Sequence, residues 1–243
     1  MKKMKFVFGM MLMSVLSIFT GCSNDDGYSV GDIAADWVTI KMEGDRTYSF
    51  VGDAWGSMWS VSIPIPTYNP KNGDRAFLLF NPLSDGYAGY DHAVKPEYIY
   101  PVLTKTVEEM NHGNEAEYGD DPVRVTDAWI GGGYMNLVFY QKVPSSKPHR
   151  VSLVKNMDES YEDDGYIHLE YRYKTYGDSL TNVVVSGAVS YNLNTLELEG
   201  KKGVKMRINS AVNGERILTF DAKENNAPLE GKKFDLSKSA NVK

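Results

Sequence analysis

Polar and apolar positions alternate most cleanly in the second half of the chain. Met135, Leu137 and Phe139 fall on one side of an extended segment, with Tyr134, Asn136 and Tyr140 on the other. The same period of two sets Val151 and Leu153 against Arg150 and Ser152. It sets Ile167, Leu169, Tyr171 and Tyr173 against Tyr166, His168, Glu170, Arg172 and Lys174. Val183, Val185, Val189, Tyr191 and Leu193 share a face, and Val204, Met206 and Ile208 alternate with Lys205, Arg207 and Asn209. An apolar side opposite a wet side marks antiparallel strands packed on one face. Asn213-Gly214 between two such runs predicts a tight hairpin. The pattern predicts an antiparallel β-sandwich over 122–222, followed by a polar tail, 223–243, that frays.

The first half is less regular. Asp36 to Met42 alternates loosely, and Gly44-Asp45 turns the chain into Thr47–Val51. Val61 to Pro66 is extended, but Pro64 and Pro66 bar it from the middle of a sheet. A turn at Pro70–Asp74 leads to an apolar strand from Arg75 to Phe80. Pro82 to Tyr90 reads as an exposed loop, and Glu97 to Val107 as extended. Short, unequal strands of this kind suit a small OB-like barrel over 36–107. The polar stretch 108–121, with Asn111, Gly113, Asn114, Gly119 and Asp120-Asp121, reads as a linker. A helical turn is allowed over 104–110. The fold class is therefore all-β, a small barrel followed by a sandwich, and 16 tyrosines with repeated valines agree with it.

The first residues obey another logic. Lys2, Lys3 and Lys5 precede the apolar run Phe6–Phe19, which falls short of the ~20 residues needed to span a bilayer. Phe19-Thr20-Gly21-Cys22 then reads as a lipoprotein processing site, with a signal peptide over 1–21 and lipidation at Cys22. Phe19 departs from the leucine usual three positions before the cysteine. Several acyl chains on one residue anchor a protein stably, where one chain does so marginally. A tether over 22–35 follows. Its Asp25-Asp26 resembles the export signal of lipoproteins displayed on the outer face of the outer membrane; the periplasmic face is the alternative.

Charge and cysteine content exclude several classes. The formal net charge is −6, and loss of the three leader lysines makes the mature chain more acidic. Such a chain gains nothing from counterion release on nucleic acid and is not drawn to anionic lipid. The expected membrane contact is the lipid anchor alone. With a single cysteine there is no internal disulfide and no thiolate zinc site.

Candidate chemistry is sparse. The acidic run Asp158–Gly165 fails as an EF-hand loop, because placing Gly165 at the invariant glycine puts Ser160 first and Tyr171 last. It reads as a solvated loop. His92, His112, His149 and His168 lack ligand spacing, and His168 is expected on an exposed strand face. Gly131-Gly132-Gly133 has no following Lys-Ser/Thr and reads as a hairpin turn, not a phosphate loop. No catalytic residue, metal ligand or cofactor is predicted. The candidate ligand-binding residues are the aromatics Trp55, Trp59, Tyr68, Tyr87 and Tyr90, in stretches that read as loops or rims of the barrel. Their rings either plug and cover the barrel, the default, or stack on a sugar or peptide.

These parts match a known pattern. The segments Tyr100–Lys105, Asp121-Pro122-Val123, Asp127–Leu137, His149–Val154 and Gly187–Leu193, behind a lipoprotein leader, resemble the NigD-like lipoproteins. The resemblance implies an N-terminal OB-type domain and a C-terminal β-sandwich domain. It also implies an association with bacteriocin loci, where an immunity role is proposed, and it supplies no catalytic residue set. The expectation is a lipoprotein that is no enzyme and works by binding a protein partner. A glycan-binding accessory to nutrient uptake is the alternative.

Overall fold

The computed structural model describes residues 28–29, 31–44, 47–62, 68–143, 147–178, 183–221 and 242–243. Cys22, the signal over 1–21, the tether up to residue 27, Pro64, Pro66 and most of the tail over 223–243 lie outside the described residues.

The first five strands are β1 (Ala34–Gly44), β2 (Thr47–Gly52), β3 (Gly56–Ser60), β4 (Arg75–Tyr87) and β5 (Tyr90–Thr106). They pair β3-β2-β1-β4-β5, and a parallel β3–β5 contact through Trp59↔Ala93 closes the ring. This closed five-stranded arrangement removes free edges. Val38, Ile40, Phe50, Met58, Leu78, Phe80 and Val94 fill it and are wholly buried.

Two stretches differ from their sequence reading. Pro82–Tyr90 is not a loop: β4 runs on to Tyr87 and β5 starts at Tyr90, joined by the turn Ala88-Gly89. Both turn residues have positive φ, 50° and 89°, the conformation that fits the twist of a two-residue hairpin. The hairpin projects from the barrel, so neither of its faces is buried and no alternation betrays it. The helical turn allowed over 104–110 is absent. Thr104–Thr106 closes β5, and β6 (Glu108–Met110) follows. The one short helix among the described residues, α1 (Glu115–Tyr118), comes later. The stretch 108–121, read as a linker, thus carries a strand and a helix that bury Met110 and Tyr118 against Val154.

The sandwich comprises β7 (Arg124–Gly131), β8 (Tyr134–Val143), β9 (Arg150–Asn156), β10 (Tyr166–Lys174), β11 (Val183–Asn192), β12 (Gly203–Ser210) and β13 (Gly214–Asp221). One sheet is ordered β13-β12-β10-β9-β6. In the other, β11, β8 and β7 extend the barrel's own sheet through β5, giving eight strands in all. Met135, Leu137, Phe139, Val189 and Tyr191 on one side meet Leu153, Leu169, Tyr171, Val204 and Met206 on the other, the apolar halves of the period-two pattern. The hairpin at Asn213-Gly214 forms between β12 and β13, with Ser210 paired to Gly214. Not every neighbour is antiparallel: β10 and β12 run parallel. Between them the chain crosses to the opposite sheet as β11 and returns, so its direction reverses twice. At the chain's end, Val242 bridges to His149, and the Val151 N–H donates to the Lys243 carbonyl at 3.1 Å. The last two residues of the expected frayed tail are therefore paired.

The face bearing Tyr134 and Asn136, expected wet, is buried. The barrel covers it. Trp37 and Phe77 from the barrel wall meet Trp129 and Val138 from the sandwich, with Val102 between them. Trp37 and Trp129 pack edge to face with ring centroids 4.8 Å apart.

Candidate functional site

The five candidate aromatics separate into two groups. Trp55 and Tyr68 belong to the barrel interior, packed half-buried against the core. Trp55 lies edge-on to Phe80 and to His92, each at 5.1 Å. Burial, with Asp74 and Tyr48 nearby, pushes the Tyr68 hydroxyl well above its ordinary pKa.

Trp59, Tyr90 and Tyr87 face outward. Trp59 is not in a loop but on β3, where Met58 points inward and Trp59 therefore points out. Its ring lies 5.2 Å from that of Tyr90, tilted by 50°. The Tyr90 hydroxyl donates to Glu43 Oε1 at 3.0 Å, and Ser49 Oγ donates to the same oxygen at 2.6 Å. Tyr87 pairs with Tyr90 across the hairpin and is 45% exposed. The wall around β2 and β3, flanked by the turns after β1 and β4, is where barrels of this topology hold ligands. Two rings and a carboxylate on that wall can stack on a flat apolar surface and accept a hydrogen bond beside it. Glu43 and Ser49 escaped the sequence reading, since only pairing of β1 with β2 brings them beside Tyr90.

Asp36 positions the turn that carries Trp55. Its carboxylate accepts backbone N–H groups from Trp37 at 2.8 Å and from Ala54 and Trp55 at 3.0 Å. Burial raises its pKa to about 6 against the pull of the three N–H donors, and the nearby Asp53 adds a smaller push in the same direction.

Between the domains lies a polar centre. Arg75 reaches Asp53 through two hydrogen bonds and also donates to Thr39 Oγ1 at 3.0 Å and Asn136 Oδ1 at 3.4 Å. Ser190 Oγ donates to the same Asn136 oxygen at 2.7 Å. Gly131-Gly132-Gly133 is the β7–β8 turn, as expected, and it also docks on this pair. A Cβ on Gly132 would sit 2.7 Å from Asp53 Oδ1 and 2.9 Å from Arg75 Nη1.

The outer face of the five-stranded sheet holds a charge network in place of the exposed strand face expected around His168. Glu170 and Arg172 are buried, joined to each other at 2.5 Å and to Arg207 and Asp120. His168 is half-buried because Tyr161 stacks on it at 4.3 Å. The acidic run ends at Asp164, whose carboxyl is held well below its usual range by Lys205, the Tyr166 N–H and His168. A groove of about 780 Å³ crosses this face between Glu108, Lys155, Tyr161, His168 and Leu196. Of the other histidines, His92 meets Asp85 at 2.6 Å, His112 pairs with Asp158, and His149 is buried against Tyr173 and Asp178. Among the described residues no group of His, Cys, Asp and Glu is arranged to hold a metal ion.

No curated protein matches the chain. Solved structures do. One of a protein of unknown function from Bacteroides vulgatus is 24% identical, with a TM-score of 0.74, covering 87% of this chain and 100% of that one. A protein from Parabacteroides distasonis described as toxin-related is 26% identical, with a TM-score of 0.65, covering 77% and 92%. A NigD-like immunity protein from Bacteroides caccae is 18% identical, with a TM-score of 0.56, covering 79% and 94%. The family description NigD-like N-terminal OB domain matches residues 37–102, and NigD-like C-terminal beta sandwich domain matches residues 105–222. The barrel and the sandwich are those two domains in that order, and the chain belongs to the NigD-like family.

Proposed function

We propose that the chain is a lipoprotein anchored through Cys22 in the outer membrane, facing the cell exterior, and that it works by binding another protein, as an immunity-type or accessory factor. The anchor reading rests on the apolar leader ending in Gly21-Cys22, and the outward orientation on Asp25-Asp26 behind it. The binding reading is carried by one observation: barrel and sandwich share a continuous eight-stranded sheet and a buried joint. Such a joint presents the outer faces of both domains as one preorganised surface, which lowers the ordering cost of association. The names of two similar structures, one toxin-related and one an immunity protein, agree with a protein partner. The test is capture from cells that make the acylated chain, beside a Cys22→Ser control. The expected result is a protein retained by the acylated form and membrane fractionation that the control loses. Protease treatment of intact cells should digest the chain; protection until the outer membrane is broken would sink the outward orientation.

The Trp59–Tyr90 pair with Glu43 favours a second reading, binding of a glycan in a nutrient-uptake system. Flat rings stack on sugar faces, and a carboxylate beside them accepts sugar hydroxyls.

A further inference from the structure

β11 is paired unevenly along its two sides. β8 follows it over its whole length, from Val183↔Val143 to Asn192↔Tyr134. On the other side β5 joins only at Val189↔Leu103 and beyond. The half from Val183 to Ala188 therefore has one side without a strand neighbour among the described residues. The facing stretch of β5 carries Pro96 and Pro101, which have no N–H to offer. The sheet splits here into two walls, β4–β5 and β8–β11.

The walls meet at their deep end in the buried contact of Phe77, Val102, Trp129 and Val138. Moving outward at a period of two, Val102 is followed by Tyr100 and Tyr98, Val138 by Tyr140, and Ala188 by Ser186 and Val184. The interdomain contact thus continues into open surface. Tyr98 is 59% exposed and stacks on Tyr100, while Val184 and Tyr140 are 49% and 39% exposed. Two cations stand beside them. The Arg124 guanidinium lies over the Tyr140 ring, 5.2 Å from its centroid, and Lys142 is opposite Val184 in register. Both are exposed, and neither has an anionic partner among the described residues.

Proteins guard free strand edges with charge, proline, bulges or shortness. The other edges here are guarded. β7 has a bulge at Val125/Asp127, β13 carries Glu215, Arg216 and Asp221, and β6 is three residues long. The edge Val183-Val184-Val185-Ser186-Gly187-Ala188 has none of these devices. We infer that it receives an extended segment of a partner protein, added as a strand to β11. The segment has apolar side chains at alternate positions, lying over Tyr98, Tyr140 and Val184, and acidic residues that meet Arg124 and Lys142. Main-chain hydrogen bonds supply affinity in this mode, and the alternate side chains supply selectivity. The inference rests on the reading that the chain binds a protein, and it names where and in what conformation.

The test uses the mature chain and synthetic peptides of alternating valine and threonine with glutamate at both ends. Binding is read by fluorescence anisotropy and by backbone hydrogen exchange. The peptide should bind and slow exchange within 183–188. Val184→Lys or Tyr98→Ala should weaken binding about tenfold or more, as should lysine ends in place of glutamate, and Ile217→Lys on β13 should not. Both sites are exposed, and an unchanged unfolding midpoint shows that the variants fold. Absence of binding at millimolar peptide, protection elsewhere, equal loss with Ile217→Lys, or dimerisation of the chain through this edge would each overturn the inference. If Val184→Lys still retains the protein captured by the acylated chain, protein binding stands and the edge is wrong.

Discussion

Arg75 and Asp53 form a two-pronged ion pair sealed from solvent, Nη1 to Oδ1 at 2.9 Å and Nη2 to Oδ2 at 2.6 Å. The arginine comes from the first residue of β4 and the aspartate from the turn after β2, yet the pair lies against Asn136 of the sandwich. Removing one partner leaves a buried charge without its counterion, which costs about 3–5 kcal/mol. Asp53→Ala should therefore destabilise the whole chain by about that amount in urea unfolding. The double variant Arg75→Met/Asp53→Leu should recover most of it, because a packed apolar pair avoids the desolvation of both ions. A single variant as stable as the parent would show that the pair does not hold the joint.

Gly132 makes the same joint sensitive to a single carbon. It has φ of 58°, and its Cβ would press on both Asp53 and Arg75. Gly132→Ala should cost about 2 kcal/mol, from the left-handed backbone and from displacement of the pair together. Gly86→Ala has φ of 63° with open space around its Cβ, so it carries the backbone part alone and should cost about 1 kcal/mol. The comparison, made by thermal unfolding, separates backbone strain from crowding of the joint. Equal losses would mean that the close approach contributes nothing.

Asp36 gives the barrel a pH dependence of definite sign. Its folded pKa of about 6 lies above the ordinary carboxylate value of 3.8. The folded state holds the proton more tightly, so this stabilisation is complete below about pH 4 and is lost as pH rises through 6. The rise from 3.8 to about 6 corresponds to about 3 kcal/mol. The stability difference between the parent chain and Asp36→Asn, taken by urea unfolding at pH 4 and pH 7, should change by about that much. Since Asn forfeits part of the acceptor set for the Trp37, Ala54 and Trp55 N–H groups, only the change with pH is diagnostic. A difference that stays constant across this range would refute the assignment.

The inner halves of the sandwich strands were legible because their alternation reports burial directly: Leu169, Tyr171 and Val204 lie where a period of two puts them. The barrel's closure was legible only as a class, since β3 has five residues and its partner β5 lies far along the chain. What stayed hidden comes from contacts between distant segments. Asn136 and Tyr134 look wet in a single strand, and they are buried because a second domain lies against them. Glu170 and Arg172 look like a solvated face, and they are buried because Arg207 and Asp120 meet them there. For the candidate aromatics, the sequence marked the rings but not their direction. The strand carrying Trp59 turns it outward, while the turn held by Asp36 folds Trp55 inward over Phe80.

That difference in direction separates the two tryptophans by experiment. Trp55 contacts Phe80 and His92, so Trp55→Ala opens space against the barrel core and should cost about 2–3 kcal/mol, less than a fully buried ring because Trp55 is half-exposed. Trp59 meets solvent and Tyr90, so Trp59→Ala should cost about 1 kcal/mol and leave the barrel folded. If the wall takes glycans, an array probed with the mature chain should show binding that Trp59→Ala abolishes. Glu43→Gln should weaken it about tenfold, by removing a charged acceptor next to the ring pair. Binding that survives Trp59→Ala would place any glycan elsewhere. An array with no binding at all would leave this wall to Tyr90 and Glu43 as a structural contact and strengthen the case for a protein partner.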